Sequence, residues 1–181
     1  AFGRDDTTLQ DVLVDEMTRR KLTVATAESC TGGLIAGMLT DVPGSSAAVL
    51  GGWVTYANAM KSEQLGVPPE VIDTHGAVSE PVVRAMAQGA LQRSGANLAV
   101  ATSGVAGPGG GTTEKPVGTV WMGLAWREGD AVKTDARVAH FPGDRDAVRD
   151  RSAKCALQLL RLHLLGEDLG LVRWAKQGDS P

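Results

Sequence analysis

Cysteine, histidine and long apolar runs are all scarce in this sequence of 181 residues. Its two cysteines, Cys30 and Cys155, are too few for a disulfide framework and form neither a CxxC nor a zinc spacing, so we expect two reduced thiols. Its three histidines are isolated and lack the HExxH spacing, so no metal site is predicted. No signal-peptide pattern occurs, and no apolar run reaches the length of a membrane span. These absences predict a cytoplasmic protein without a cofactor.

The charge balance gives no indication of a nucleic-acid partner. The chain has 18 basic and 21 acidic residues, a net charge of −3, and no basic cluster. Its 43% hydrophobic and 22% charged residues are typical of globular proteins. The length fits one domain over 1–181, with a core at about 6–165 and a polar tail at 166–181.

Hydrophobic periodicity predicts alternating strands and helices. Strands are predicted over 22–27, 50–56, 98–102, 117–126 and 131–141, the last two as a hairpin. The first helix is predicted over 6–20, with Asp5 or Asp6 as its cap. The second begins at 33 and ends before Pro43, and the third runs from a cap at Asn58 to Gly66 and the Pro68-Pro69 pair. The fourth runs from a cap at Ser79 to Arg93, and the last covers 144–165. This order indicates an α/β fold with a mixed sheet covered by helices on both faces.

Three segments follow predicted strands, at the positions where ligands bind in such sheets: 28–33, 56–61 and 103–113. In the first, Ser29 lies between a strand and a helix, where backbone N–H groups can hold an anion or an oxyanion. Two alternatives stay open. Ser29 or Thr31 can simply cap the helix, and Cys30 can compete as a nucleophile.

Lys61 ends a long stretch in which the only charged side chains are Glu28 and Asp41, so its surroundings are expected to be partly apolar. Desolvation lowers the pKa of a lysine, and a neutral amine can act as the base that activates a serine hydroxyl. The alternative is a solvated helix lysine paired with Glu63 or Glu80.

Tyr56 is the single tyrosine of the chain and follows the second predicted strand. Its hydroxyl can relay or orient a proton near Lys61. The alternative is a core tyrosine whose hydroxyl reaches water.

The third segment contains five glycines between residues 103 and 111, which favours a loop whose N–H groups bind phosphate or carboxylate. It matches neither GxGxxG nor the P-loop pattern, so a loop without a ligand is the alternative. At the start of the last helix, Arg145 and Arg149 share one face, and Arg145 is a candidate phosphate clamp. Equally, Asp144 and Asp146 can complement the helix dipole while the arginines are solvated.

Five motifs together resemble a known family. They are AESCTGG at 27–33, YANAMK at 56–61, GAVSE at 76–80, SGVAGP at 103–108 and KPVG at 115–118. In order and spacing they resemble the CinA C-terminal domain family, the nicotinamide-nucleotide amidases of PncC type. The resemblance implies a three-layer α/β/α sandwich that hydrolyses nicotinamide mononucleotide to nicotinate mononucleotide and ammonia, in pyridine-nucleotide salvage. It also implies a catalytic pair on Ser29 and Lys61, with Tyr56 close by.

Longer CinA proteins carry an additional N-terminal domain linked to pyrophosphatase activity. This chain is expected to be the stand-alone amidase form without that activity. A symmetric dimer is expected from the frequency of such assemblies.

The resemblance and the residues combine into one expected site. Neutral Lys61 takes the proton of Ser29, which attacks the carboxamide carbon. The predicted oxyanion and substrate-binding residues are Thr31, Gly32, Gly33, Ser103 and Gly104, and the predicted phosphate-binding residues are Gly107, Gly109, Gly110 and Arg145. The alternative function is a non-catalytic nucleotide-binding module in competence or the DNA-damage response, and a third is hydrolysis of some other amide.

Overall fold

A computed structural model of the protein describes residues 7–172. Its centre is a five-stranded sheet in the order β2-β1-β3-β4-β5. The strands are β1 (Val24–Glu28), β2 (Val49–Val54), β3 (Leu98–Gly104), β4 (Thr119–Glu128) and β5 (Ala131–His140). Strands β2, β1 and β3 run parallel, whereas β4 and β5 are antiparallel additions. The carboxyl ends of the three parallel strands therefore lie at one edge of the sheet.

Six α-helices cover the two faces of the sheet within the described residues. They are α1 (Leu9–Arg19), α2 (Leu34–Thr40), α3 (Asn58–Leu65), α4 (Pro69–His75), α5 (Glu80–Ser94) and α6 (Arg145–Leu165). Helices α1, α2 and α6 contact one another on one face, and α3 and α4 pack around α5 on the other. The predicted three-layer α/β/α sandwich around a mixed sheet is confirmed.

The two apolar cores follow from the alternation of side chains along the parallel strands. Successive side chains of a strand point to opposite faces, so Val24 packs in the core under α1, α2 and α6, and Ala27 packs in the core under α5. Small residues bring α5 close to the sheet. A Cβ on Gly123 would lie 2.6 Å from the carbonyl oxygen of Val83 in α5, so only glycine fits there.

The predicted pattern of elements is confirmed, but one helix was missed. The Pro68-Pro69 pair was expected to end a helix; α3 does end at Gly66, whose φ is +70°, but Pro69 then begins α4. Proline is favoured in the first turn of a helix because its missing N–H has no partner there in any case. The same pair of prolines therefore separates two helices.

Two predicted helix caps are also wrong. Helix α1 is capped by Thr8, which exchanges hydrogen bonds with Asp11. Asp5 and Asp6, the expected caps, lie outside the described residues. Asn58 is the first residue of α3, and Ala57 occupies the cap position. Ser79 does precede α5, but its hydroxyl donates to the carbonyl of Gly76 at 2.8 Å instead of capping the helix.

Strand β3 is longer than predicted. Ser103 and Gly104 were expected to open a loop, but they pair with Trp121 and Val120 of β4 as the last residues of β3. The antiparallel partner continues the hydrogen-bonding ladder past the point where β1 ends. Both cysteines are free thiols, as predicted. No helix within residues 7–172 is long and apolar enough to cross a membrane.

Candidate active site

A cavity of about 220 Å³ lies at the carboxyl edge of β1, β2 and β3. Its lining comes from every segment that follows these strands, with additions from the turn before α5 and from α6. The lining residues are Ser29, Cys30, Tyr56, Asn58, Lys61, Ala77, Val78, Ser103, Gly104, Ala106 and Arg145. A larger cavity of about 380 Å³ lies between α1 and α6, away from these residues. The small cavity therefore brings together six of the twelve predicted site residues, namely Ser29, Tyr56, Lys61, Ser103, Gly104 and Arg145.

Ser29 and Lys61 meet inside this cavity. The Nζ atom of Lys61 lies 3.3 Å from the Oγ atom of Ser29, although 32 residues separate them in the chain. Nζ also donates to the backbone carbonyls of Thr55 at 2.9 Å and Tyr56 at 3.2 Å. A neutral amine has two N–H groups for these two carbonyls, which leaves its lone pair for the hydroxyl of Ser29. The geometry is that of a base and a nucleophile.

The environment of Lys61 disfavours its charged form. The side chain is only 1% exposed, and within residues 7–172 it forms no ion pair with a carboxylate. Burial lowers the pKa of the Lys61 ammonium. The alternative of a solvated lysine paired with Glu63 or Glu80 is wrong, since Glu80 pairs with Arg84 at 2.8 Å instead.

Cys30 does not compete with Ser29 as a nucleophile in this environment. Its thiol is buried, and that burial raises the pKa of Cys30 to about 12. A thiol with such a pKa is protonated at neutral pH, and only the thiolate is strongly nucleophilic.

The backbone from Ser29 to Gly32, called the Ser29 turn below, is tightly held. The N–H of Gly32 donates to the carbonyl of Ser29 at 3.1 Å and closes the turn. The guanidinium of Arg149 in α6 donates to the carbonyls of Cys30 at 3.2 Å and Thr31 at 3.0 Å. Arg149 is thus held at the site, so the alternative of a solvated side chain is wrong for this residue.

Glu28 holds the start of α2, directly after this turn, and is a residue that the sequence analysis missed. Its carboxylate is completely buried and accepts three backbone N–H groups, from Gly33 at 3.0 Å, Ile35 at 3.1 Å and Ala36 at 2.9 Å. These are the N–H groups that the start of α2 leaves without intrahelical partners. A glutamate at a strand end, directly before a Ser-x-x-Gly-Gly turn and a helix, is the sequence signal that could have identified it.

This capping changes the assignment of the predicted oxyanion donors. The N–H of Gly33 is occupied by Glu28, and that of Gly32 is occupied by Ser29, so neither is available to a substrate. Helix α2 has Gly33 at its cap position, so neither Ser29 nor Thr31 is the cap that the alternative expected. The Thr31 hydroxyl instead lies 2.7 Å from that of Thr102.

Tyr56 and Arg145 form the open side of the cavity. The Tyr56 side chain is 61% exposed, which excludes a core tyrosine, and its hydroxyl accepts a hydrogen bond from Arg145 at 3.1 Å. Arg145 also donates to the carbonyl of Gly107 at 2.8 Å. The structure thereby links the tyrosine, the glycine-rich segment and the start of α6 around one cation.

The remaining predicted residues divide into two groups. Ser103 and Gly104 line the cavity, and the Ser103 hydroxyl donates to the carbonyl of Ala77 at 2.8 Å. Gly109 and Gly110 are exposed and lie outside the lining, and Gly107 also lies outside it but is buried. Within the described part of the chain, no group of three or more histidine, cysteine, aspartate or glutamate side chains could hold a metal ion.

Comparison with known proteins places this chain in a family. Residues 6–164 match the model of the CinA C-terminal domain. A CinA-like protein of Akkermansia muciniphila is 55% identical over 149 residues, 82% of this chain and 35% of that protein. One of Chlorobaculum tepidum is 52% identical over 164 residues, 90% of this chain and 39% of that protein. The chain thus spans less than half the length of these curated relatives.

Solved structures agree with this result. The crystal structure of the competence/damage inducible protein CihA from Agrobacterium tumefaciens is 46% identical and superposes with a TM-score of 0.80, over 87% of this chain and 93% of that one. A CinA superfamily protein from Klebsiella pneumoniae is 35% identical with a TM-score of 0.80, over 87% of this chain and 96% of that one. The chain belongs to the CinA C-terminal domain family.

Proposed function

We propose that this domain is a nicotinamide-nucleotide amidase, which hydrolyses nicotinamide mononucleotide to nicotinate mononucleotide and ammonia. The observation that carries the proposal is the buried Lys61 amine at 3.3 Å from the hydroxyl of Ser29, with no carboxylate partner among residues 7–172. A lysine buried in this way costs stability, because burial disfavours its charged form. If Lys61 acts as the base for a serine nucleophile, this loss of stability is explained by the function of the residue.

The acylation half of the reaction uses both side chains. Lys61 accepts the hydroxyl proton of Ser29 while Oγ forms a bond to the carboxamide carbon, and the carbonyl oxygen becomes an oxyanion. The Lys61 ammonium then donates that proton to the amide nitrogen. The C–N bond breaks and ammonia leaves, with the nicotinoyl group held as an ester of Ser29.

The second half repeats these proton transfers with water. Neutral Lys61 accepts a proton from a water molecule, whose oxygen attacks the ester carbon. When the intermediate collapses, Oγ of Ser29 leaves and regains the proton from Lys61. Nicotinate mononucleotide is released, and both side chains return to their initial protonation states.

Arg145 is the cation best placed for the phosphate of the nucleotide. It lies exposed at the open side of the cavity, and no carboxylate within residues 7–172 neutralises it. Its bonds to Gly107 and Tyr56 set its direction and leave further N–H donors for phosphate oxygens. This proposal makes phosphate binding a task of Arg145, which the carbonyl of Gly107 holds in place, and gives Gly107, Gly109 and Gly110 no direct contact with the phosphate.

The test is the production of ammonia and nicotinate mononucleotide from nicotinamide mononucleotide, in the presence of a chelator. Wild type is expected to form both products in equal amounts, with a lower kcat/KM for free nicotinamide, which lacks the phosphate. Arg145→Met is expected to remove much of that preference while leaving turnover of free nicotinamide unchanged. Wild-type protein that binds the nucleotide without releasing ammonia would instead support the non-catalytic binding module.

A further inference from the structure

Arg149 is hydrogen-bonded to the backbone that follows Ser29, yet it does not line the cavity. It lies on α6 one turn after Arg145, and both its bonds go to carbonyls of the Ser29 turn. Arg149 forms no ion pair within residues 7–172, so the described contacts of its guanidinium are the two hydrogen bonds to this backbone. A side chain used in this way fixes the orientation of peptide groups.

The peptide groups of the turn are coupled to one another. In a trans peptide the C=O and the following N–H point in opposite directions. Arg149 holds the carbonyl of Thr31, and the N–H of the same peptide group, on Gly32, donates to the carbonyl of Ser29 at 3.1 Å. The N–H that shares a peptide group with that Ser29 carbonyl belongs to Cys30, so its direction is fixed as well.

The second hydrogen bond of Arg149 holds the peptide group between Cys30 and Thr31. Because the Cys30 carbonyl points to Arg149, the N–H of Thr31 points away from it. Neither N–H has a backbone oxygen as acceptor in the described part of the chain. The turn thus holds two donors next to Ser29 without a strong partner.

We propose that Arg149 is a positioning residue of the amidase, which orients the N–H groups of Cys30 and Thr31 toward the oxyanion formed on attack by Ser29. The inference rests on the proposed function, since it assigns the oxyanion donors of that reaction. Donors placed before the reaction stabilise the charge that develops in the transition state more than they stabilise the neutral substrate. Loss of Arg149 is therefore expected to reduce kcat and to leave KM nearly unchanged.

The chain provides a matched control on the same helix. Arg151 also donates to a backbone carbonyl, that of Pro142, but this carbonyl lies outside the cavity. Replacing Arg149 or Arg151 removes one arginine from α6 and one attachment of α6 to a loop. Only the change at Arg149 alters the Ser29 turn.

The experiment compares Arg149→Ala, Arg149→Lys and Arg151→Ala in steady-state hydrolysis of nicotinamide mononucleotide. Arg149→Ala is expected to lower kcat by about 10²-fold, the typical effect of losing an oxyanion donor, with KM within about threefold of wild type. Arg149→Lys is expected to recover part of the loss, because one ammonium reaches one carbonyl. Millimolar guanidinium is expected to raise kcat of Arg149→Ala and leave Arg151→Ala unchanged.

A kcat of Arg149→Ala that equals that of Arg151→Ala would overturn the proposal. A loss without rescue by guanidinium or lysine, in step with a lower melting temperature, would overturn it too, since it would mark Arg149 as a purely structural attachment. The rate at which a fluorophosphonate labels Ser29 separates this failure from that of the proposed function. If wild type releases no ammonia but Arg149→Ala slows labelling, the amidase assignment fails and the positioning role stands.

Discussion

The Ser29 turn and the glycine-rich segment predicted over 103–113 border the same cavity, and both were predicted to bind a substrate anion. Because β3 ends at Gly104, that segment lies largely in a loop over 105–118. In the structure, the turn and the loop differ in how firmly hydrogen bonds fix their backbone. In the Ser29 turn the backbone is fixed by Arg149 from one side, and Glu28 fixes the start of the following helix. In the loop, residues 108–114 are exposed; Thr112 and Lys115 exchange hydrogen bonds with each other, and Lys115 Nζ donates to the carbonyl of His75 at 2.8 Å.

Under the proposed function, this difference separates two tasks of the site. Bond-making steps need groups held within a few tenths of an ångström, which a backbone with satisfied hydrogen bonds provides. Recognition of a charged phosphate tolerates more movement and depends on a cation such as Arg145. The comparison predicts that changes in the Ser29 turn act on kcat, and that changes in the exposed loop act weakly or on KM alone.

The largest effect is expected for Ser29→Ala. The Ser29 hydroxyl contacts Lys61 alone among the hydrogen bonds of residues 7–172, so its loss should leave the fold intact. Loss of a nucleophile that acts as one unit with its base is expected to lower kcat by about 10³-fold or more. Ammonia release measures the loss, and thermal unfolding verifies the fold. A variant with more than a tenth of wild-type turnover would contradict the assignment of Ser29.

Lys61→Met is expected to have the next largest effect, a decrease in kcat of about 10²- to 10⁴-fold, as for removal of a general base. Because burial lowers the pKa of Lys61, wild-type kcat/KM should rise with pH through an ionisation below the ordinary lysine value of 10.5, as the amine becomes neutral. The variant should lack this rise. Lys154→Met, which removes an exposed lysine paired with Asp150, is the control and should retain the wild-type profile.

Glu28→Gln is expected to have an intermediate effect, on stability as well as on activity. An amide offers one oxygen in place of two, so at least one of the three N–H groups at the start of α2 loses its acceptor. The expected decrease in the free energy of unfolding is about 2 kcal/mol, or about 4–8 °C in Tm. Calorimetry measures it against Asp41→Asn, an exposed carboxylate at the other end of α2. Equal stability of the two variants would show that the Glu28 carboxylate does not stabilise the start of α2.

The smallest effect is expected for Gly109→Ala. No atom lies within 4 Å of a Cβ at this position, and its backbone is not left-handed, so stability should change by less than about 0.5 kcal/mol. Gly32→Ala in the Ser29 turn is the contrasting variant. Its φ of +61° strains an alanine by about 1–2 kcal/mol, and the new Cβ would lie 3.3 Å from Arg149. A marked decrease in kcat for Gly109→Ala would break the comparison, whereas a marked rise in KM alone would restore Gly109 as a direct phosphate contact.

The fold was largely predictable because its parallel strands and long helices have clear apolar periodicity. The predictions that were wrong concerned where individual helices and strands begin and end. The sequence Pro68-Pro69 is compatible with the end of one helix and the start of the next, and only packing against α5 shows that α4 forms. Likewise Ser103 and Gly104 look like loop residues until β4 pairs with them. Both errors arise where a tertiary partner decides between two permitted local structures.

The candidate site was only partly predictable: Ser29, Tyr56 and Lys61 could be singled out from the sequence, but the contacts among them and the role of Glu28 could not. The local pattern suggested Ser29 and Lys61 as separate candidates, and the family resemblance joined them, since sequence spacing cannot show that two strand ends are neighbours. The roles of Glu28 and Arg149 depend on backbone hydrogen bonds across α2 and α6, which leave no spacing motif in the chain. The expected dimer stays a prediction.

The most direct test of the central claim, that buried Lys61 activates Ser29, is the pH dependence of fluorophosphonate labelling, because it requires no knowledge of the substrate. Wild type is expected to be labelled at Ser29, located by peptide mass spectrometry, with a rate that rises with pH through one ionisation below 10.5. Lys61→Met is expected to be labelled slowly and without that rise. Equal labelling of the two proteins across the pH range, or a label on a residue other than Ser29, would contradict the account.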